Sequence, residues 1–207
     1  YYSVPLTRYN ILAEMTATER GGLHRYTFPA SDEAAIILDL VHGGCFDRPE
    51  DLFAEAVSDT RVVGRRHSWG WSNNQKVYFV IEFSKPFDKF EPIGENGFYY
   101  RIHFKTEEGE QIGVKVALSS TSPAGAELNF STEVKDKDFD TVRKETRAKW
   151  QNELRKIRIY GATEEQNEIF YTGMYHMYVA PSLFSDVDGT YRGADNEIHE
   201  NPGYHTY

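Results

Sequence analysis

Residues 99–119, YYRIHFKTEEGEQIGVKVALS, decide the fold. Two runs rich in aromatic and β-branched residues flank Glu107-Glu108-Gly109, a turn signal, so 99–106 and 111–119 are predicted to be the arms of a β-hairpin. Upstream the pattern repeats. Strands are expected at 2–6, 10–18, 23–28, 34–41 and 76–83, with a further hairpin formed by 52–58 and 61–69 around Asp59-Thr60. In the second strand Ile11, Ala13, Met15 and Ala17 alternate with Leu12, Glu14, Thr16 and Thr18, which puts the two sets on opposite faces. Gly21-Gly22 reads as a turn, and Pro29 as a strand stop. Many short strands at close spacing predict a mainly β protein with antiparallel pairing, a large sandwich in preference to a small closed barrel.

Downstream the period changes. Phe139, Val142, Thr146, Trp150, Leu154 and Ile157 recur at three- and four-residue steps, which is one face of a helix, and Asp138 or Asp140 can cap its start. A short strand is expected at 157–160, ended by Gly161. Thr163-Glu-Glu-Gln166 matches a capping box, opening a second helix that runs to about Val179 and stops at Pro181. The stretch 170–195 thus passes from a helix into a loop dense in Asp, Gly, Tyr and Arg. The organisation expected is a sandwich over 1–136, linker helices over 137–180 and the start of a further region over 181–207.

Composition narrows the function. A chain of 207 residues can bury a sizeable core. The net charge of −9 disfavours nucleic acid as a partner, because phosphate binding needs clustered Lys and Arg, and Arg65-Arg66-His67 is too small a cluster to change that. No apolar run approaches the roughly 20 residues that span a bilayer, so no membrane-spanning segment is expected. The single cysteine, Cys45, allows no internal disulfide and reads as a structural thiol. There is no nucleophile elbow and no phosphate loop. The 14% aromatic content suits both half-buried strands and sugar binding, since the C–H faces of a pyranose lie well on aromatic rings.

Candidate site residues follow from this. Trp69 and Trp71, two apart, would share a strand face; the preferred reading is that they anchor the core or an interface, with Gly70 admitting another backbone, and the alternative is an exposed sugar platform. The segment 186–196 opens Asp-x-Asp-Gly like part of a calcium loop. Its Gly comes too early and its fifth position lacks an oxygen ligand, so it reads as a turn. Arg192 and Asp195 within it could together grip a vicinal diol. His176, His199 and His205 have no partner at metal-ligand spacing, and no metal or catalytic residue is assigned.

Several short motifs occur in fixed order: Tyr1-Tyr2-Ser3-Val4, Ile11-x-Ala13-Glu14-x-Thr16-Ala17-Thr18-x-Arg20, His24-Arg25-Tyr26-x-Phe28-Pro29 and Gly64-x-Arg66-x-Ser68-x-Gly70-Trp71. Then come Val77-Tyr78-Phe79, Glu82-Phe83-Ser84-Lys85-Pro86-Phe87, Phe170-Tyr171-Thr172 through Tyr175-His176, Pro181, and Gly189-x-Tyr191-Arg192-Gly193. Together they resemble glycoside hydrolase family 92, the exo-acting α-mannosidases. The resemblance implies a supersandwich of the galactose-mutarotase-like type joined by linker helices to an (α/α)6 barrel. It also implies an active site at the domain interface, calcium that helps bind the mannoside, and inversion at the anomeric carbon. The acid, base and calcium ligands of that family belong to the barrel. This chain is therefore expected to be a fragment, lacking the earliest strands and inactive alone, of a periplasmic or secreted enzyme acting on mannose-containing glycans. Trp69, Trp71, Tyr191, Arg192 and Asp195 are expected to line the sugar subsite or the domain interface. The alternative is a non-catalytic carbohydrate-binding or structural sandwich.

Overall fold

The computed structural model describes residues 1–207 apart from Cys45, Asn96, Pro202, Tyr204, His205 and Tyr207, so the readings of Cys45 and His205 lie outside the described residues. In chain order the strands are β1 (Tyr2–Leu6), β2 (Ile11–Ala17), β3 (Gly21–Phe28), β4 (Ser31–Asp39), β5 (Arg48–Ala56), β6 (Arg61–Trp69), β7 (Gln75–Phe83), β8 (Lys89–Ile93), β9 (Tyr99–Thr106) and β10 (Glu110–Ser119). Three helices follow, α1 (Pro123–Glu133), α2 (Phe139–Leu154) and α3 (Glu164–Tyr178), then a small ribbon of β11 (Thr190–Arg192) and β12 (Ile198–Glu200).

Two antiparallel sheets face each other. One has seven strands in the order β1-β2-β3-β10-β7-β6-β5, the other three in the order β4-β9-β8. The expected sandwich is what forms, but 99–119 is not a hairpin. β9 pairs with β4 and β8, whereas β10 pairs with β3 and β7. The stretch is a corner between the sheets. The physical reason is burial: Ile102 and Phe104 enter the core from the small sheet, and Ile112 and Val114 enter the same core from the large one. The neighbouring corner, from β3 to β4 at Pro29, is tied to this one. Thr106 Oγ1 donates to Pro29 O at 2.7 Å and Gly109 N to Phe28 O at 2.9 Å.

The outer face of the large sheet is covered by helices. Leu23, Val80 and Ala117 from the strands meet Ala126, Phe130 and Val134 of α1 and its C-cap, and Val142 of α2. Here the turn expected at Gly21-Gly22 is corrected, since both residues belong to β3. The glycine at 21 serves close packing, because a Cβ there would lie 2.6 Å from Val134 Cγ1. α2 begins at Asp138, whose side chain accepts from Thr141 N at 2.8 Å. It is anchored by Arg25, which makes two bonds to Glu14 (2.7 and 2.9 Å), reaches Asp140 at 3.2 Å and lies over the Phe139 ring. The hydrogen bonds from Arg25, outweighing burial, pull the Glu14 carboxyl down to about 2.

The Thr163–Gln166 capping box forms as read from the sequence. α3 rests on α2 through the Trp150 and Tyr175 rings, 4.7 Å apart, and buries Met174 while Ile169, Met177 and Val179 stay exposed. The strand expected at 157–160 is absent: the run is irregular, and Ile157 and Tyr160 are exposed. α1 and β8 were not read from the sequence. The Ser122 N-cap followed by Pro123 was the available signal for α1.

Candidate functional site

The last strand of the large sheet runs into the loop of Ser120, Thr121 and Ser122, which caps α1: Ser122 Oγ accepts from Gly125 N at 3.0 Å. Against this loop the chain returns, more than 60 residues later, with the turn and ribbon of 185–201. A buried carboxylate fastens it. Asp186 is 3% exposed and accepts from Ser119 Oγ (2.7 Å), Thr121 Oγ1 (2.6 Å) and Asn129 Nδ2 (2.7 Å). Asn129, itself buried, also donates to Leu118 O and accepts from Val187 N at 3.0 Å. Gly125 leaves room for the cluster, since a Cβ there would stand 2.4 Å from Asp186 Oδ2 and 2.5 Å from Thr121 Oγ1.

Two arginines reinforce the joint. Arg20 donates from Nε to Ser185 O (2.7 Å) and from Nη1 to Glu133 Oε1 (2.6 Å), bridging the turn and α1. Arg192 donates to Ser120 O (2.9 Å), Thr121 O (2.7 Å) and Asn196 O (2.8 Å). The guanidinium is thus turned onto backbone carbonyls, and the diol clamp sketched for Arg192 with Asp195 is not assembled. Asp188 closes the turn by accepting from Thr190 N and Oγ1 (2.9 and 2.7 Å), and these bonds hold its carboxyl below the usual range.

On the outer side of the ribbon the partner of Asp195 is His199. Nε2 of His199 lies 2.9 and 3.1 Å from the two carboxylate oxygens, and its ring sits 5.6 Å from that of Tyr191. The amide of Glu197, and then His199, lower the Asp195 carboxyl. Gly193 is required beside them: a Cβ would come within 2.5 Å of Asp195 Oδ1 and 2.7 Å of His199 Cδ2.

The tryptophans lie elsewhere on the sandwich. β6 ends at Trp69, so Trp71 falls in the following turn and the two-residue spacing does not carry over as strand geometry. Neither is in the core: Trp69 is 47% and Trp71 97% exposed. Gly70 does admit a neighbouring backbone, with Phe46 O 2.6 Å from where its Cβ would be. Between the ribbon, the β6–β7 turn and the β2–β3 turn lies an open hollow of about 960 Å³, lined by Arg20, His24, Asn74, Gln75, Leu118 and Asn196 among others. Burial holds the His24 imidazole below its ordinary value, and its Nδ1 lies 2.8 Å from Tyr26 OH.

Among the described residues no group of three or more His, Cys, Asp or Glu side chains is placed to hold a metal ion. The nearest approach to a calcium loop, 186–188, does not fit one, because both Asp186 oxygens are already engaged by protein donors. Among the described residues no helix is long and apolar enough to cross a membrane.

The architecture is a two-sheet sandwich backed by helices that lead onto a ribbon fastened by Asp186 and two arginines. Two family descriptions match it. "Glycosyl hydrolase family 92 N-terminal domain" matches residues 1–119 and "Glycosyl hydrolase family 92 catalytic domain" matches residues 125–207. The chain belongs to glycosyl hydrolase family 92. Among solved structures it is similar to a family GH92 α-mannosidase from Bacteroides thetaiotaomicron, with 30% identity and a TM-score of 0.91 over 100% of this chain and 30% of that one. An inverting mannosidase of the same family, from Bacteroides thetaiotaomicron VPI-5482, is 25% identical with a TM-score of 0.85, over 99% of this chain and 29% of that one. The family glycosyl hydrolase ccman5 is 27% identical with a TM-score of 0.82, over 95% and 28%. The chain therefore spans about 30% of the length of the solved relatives. No curated protein sequence matches it.

Proposed function

We propose that this chain is the N-terminal part of an α-mannosidase that removes α-linked mannose from glycans. The observation that carries the reading is the likeness, over the whole chain, to an α-mannosidase of the same family at a TM-score of 0.91. The match to the catalytic-domain description over residues 125–207 supports reading α1 through the ribbon as the entrance to the catalytic part.

The (α/α)6 barrel of the longer polypeptide supplies the general acid and general base in this reading. In an inverting hydrolase these are carboxyl groups about 6.5–9.5 Å apart, one protonating the leaving oxygen and the other activating water. Calcium is bound by residues outside 1–207, and the enzyme works in the periplasm or after secretion. Trp69, Trp71, Tyr191 and Asp195 face the glycan or the barrel, while Arg192 sets the pose of the ribbon through the Ser120 and Thr121 carbonyls.

The test is steady-state hydrolysis of aryl α-mannosides by the polypeptide extended through the barrel, with and without a chelator. Mannose release that stops on chelation and returns with calcium is expected. Preference for a different glycoside would overturn the substrate, and chelator-insensitive turnover would overturn the metal. The 207-residue chain alone is expected to turn over none.

A further inference from the structure

We propose that His67 is an acid-sensitive latch for the ribbon: a proton taken up at its Nε2 drives Arg192 off the Ser120 and Thr121 carbonyls and frees that end of the ribbon from the sandwich. The geometry around the ring is specific. The His67 side chain is 18% exposed and its ring stands edge-on to Tyr78 at 5.3 Å. Nδ1 lies 3.5 Å from Asp51 Oδ2, whereas Nε2 is shut off from solvent and meets no hydrogen-bond partner among the described residues. A neutral ring fits this seat with its proton on Nδ1 and a bare lone pair on Nε2. A second proton has to go to Nε2, where the new N–H would be buried without an acceptor. The seam beside it is also short of bonds. Ser120, whose carbonyl takes Arg192 Nε, has its own hydroxyl buried with no partner.

The charged and titratable groups that act on the ring come from four strands: Asp51 from β5, Arg65 from β6 itself, Lys76 and Tyr78 from β7, and Arg192 from β11. Asp51 is the anion among them, and Arg65 already engages both its oxygens at 2.6 and 3.0 Å. Burial does most to hold the imidazole below its ordinary value; Asp51 opposes it, and Lys76, Arg65 and Arg192 add to it. An imidazolium would be a further cation facing a carboxylate that is already taken. Arg65 and Lys76 sit on strands laddered into the seven-stranded sheet, whereas Arg192 comes from a ribbon of two three-residue strands. Arg192 is therefore the cation that yields. Opening lets water reach Nε2, so the open form takes up the proton more readily than the closed one. Opening of the ribbon thus grows as pH falls below 6.5 and levels off below the closed-state value. The limiting slope is about tenfold per pH unit.

The experiment is NMR of the 207-residue chain, and its outcome does not depend on which glycoside the enzyme cleaves. It follows solvent exchange of the Arg192 Nε–H as a ratio to that of the exposed Arg8, with the amide of the buried Val114 in β10 monitoring global unfolding. From about pH 7 to about pH 5 the ratio is expected to rise about tenfold in the parent while Val114 keeps its protection. In His67→Gln, which cannot take the proton, the ratio is expected to stay flat. The Cε1–H titration of His67 in the parent needs no variant, and its midpoint is expected below 6.5. A flat ratio in the parent, an equal rise in His67→Gln, a rise matched by Val114, or a His67 midpoint at or above the ordinary value would each overturn the latch.

Discussion

At the scale of single residues, the joint between sandwich and ribbon depends on Asp186. Removing its carboxylate in Asp186→Ala leaves the donors of Ser119, Thr121 and Asn129 facing a buried gap. The expected cost is about 3 kcal/mol in urea unfolding at neutral pH. Gly125→Ala is expected to cost about 1–3 kcal/mol in the same measurement, since the new methyl meets Asp186 and Thr121. Glu14 makes a pH prediction. Its folded pKa, about 2, is below its ordinary value of 4.5, so its contribution is fully present above the ordinary value and is lost as pH falls from there through about 2. Acid titrations followed by circular dichroism should therefore show Glu14→Gln losing less stability across that window than the parent. Residue identities announced some of this and concealed the rest. Asp186 was read as the first residue of a turn, and nothing in its neighbours reveals that Ser119, Thr121 and Asn129, up to 67 positions away, converge on it. For His199 the sequence shows only the lack of a partner at metal-ligand spacing; its contact with Asp195 is made in the β11–β12 ribbon.

At the scale of elements, local signals were reliable where the chain decides its own structure. The Asp138 cap and the Thr163 capping box were both legible, since each depends on residues within one helical turn. Partner choice was not legible. The turn at Glu107–Gly109 is compatible with a hairpin or with a corner, and which one forms is decided by what lies opposite Ile102 and Ile112 across the core. Gly21-Gly22 failed for a similar reason, the close packing at Gly21 being set by Val134 at the C-cap of a helix more than 110 residues on. β8 carries Pro92 and sits at a sheet edge, where alternation is weak. Two tests belong here. Thr163→Ala should weaken the start of α3 by about 1 kcal/mol, seen as faster amide exchange at Gln166 with the sandwich unaffected. Phe130→Ala, at the centre of the helix–sheet layer, should cost about 3–5 kcal/mol in global unfolding.

At the scale of the whole molecule, a sandwich is sealed on one face by α1 and α2, while α3 and the ribbon display apolar and polar groups to the outside. Ile169 and Met177 on α3, with Val179 at its C-cap and Phe184 beyond it, are the apolar part; Tyr191, Asp195 and His199 are the polar part. A surface of this kind fits the proposal that the catalytic barrel docks beside the ribbon and that the sugar is held where the two meet. Family membership was legible from scattered motifs because those residues maintain joints: Arg20 bridges the ribbon turn to α1, Arg25 anchors α2, and Arg66 ties Asp47 to the Leu40 carbonyl. The measurement that bears most directly on the central claim is mass spectrometry of a glycan capped with α-linked mannose, incubated with the extended polypeptide and, in parallel, with the 207-residue chain. Stepwise loss of terminal hexose, recovered as mannose, from the extended protein only is the expected result. An intact glycan with the correctly folded extended protein, or hexose loss with the short chain alone, would contradict it.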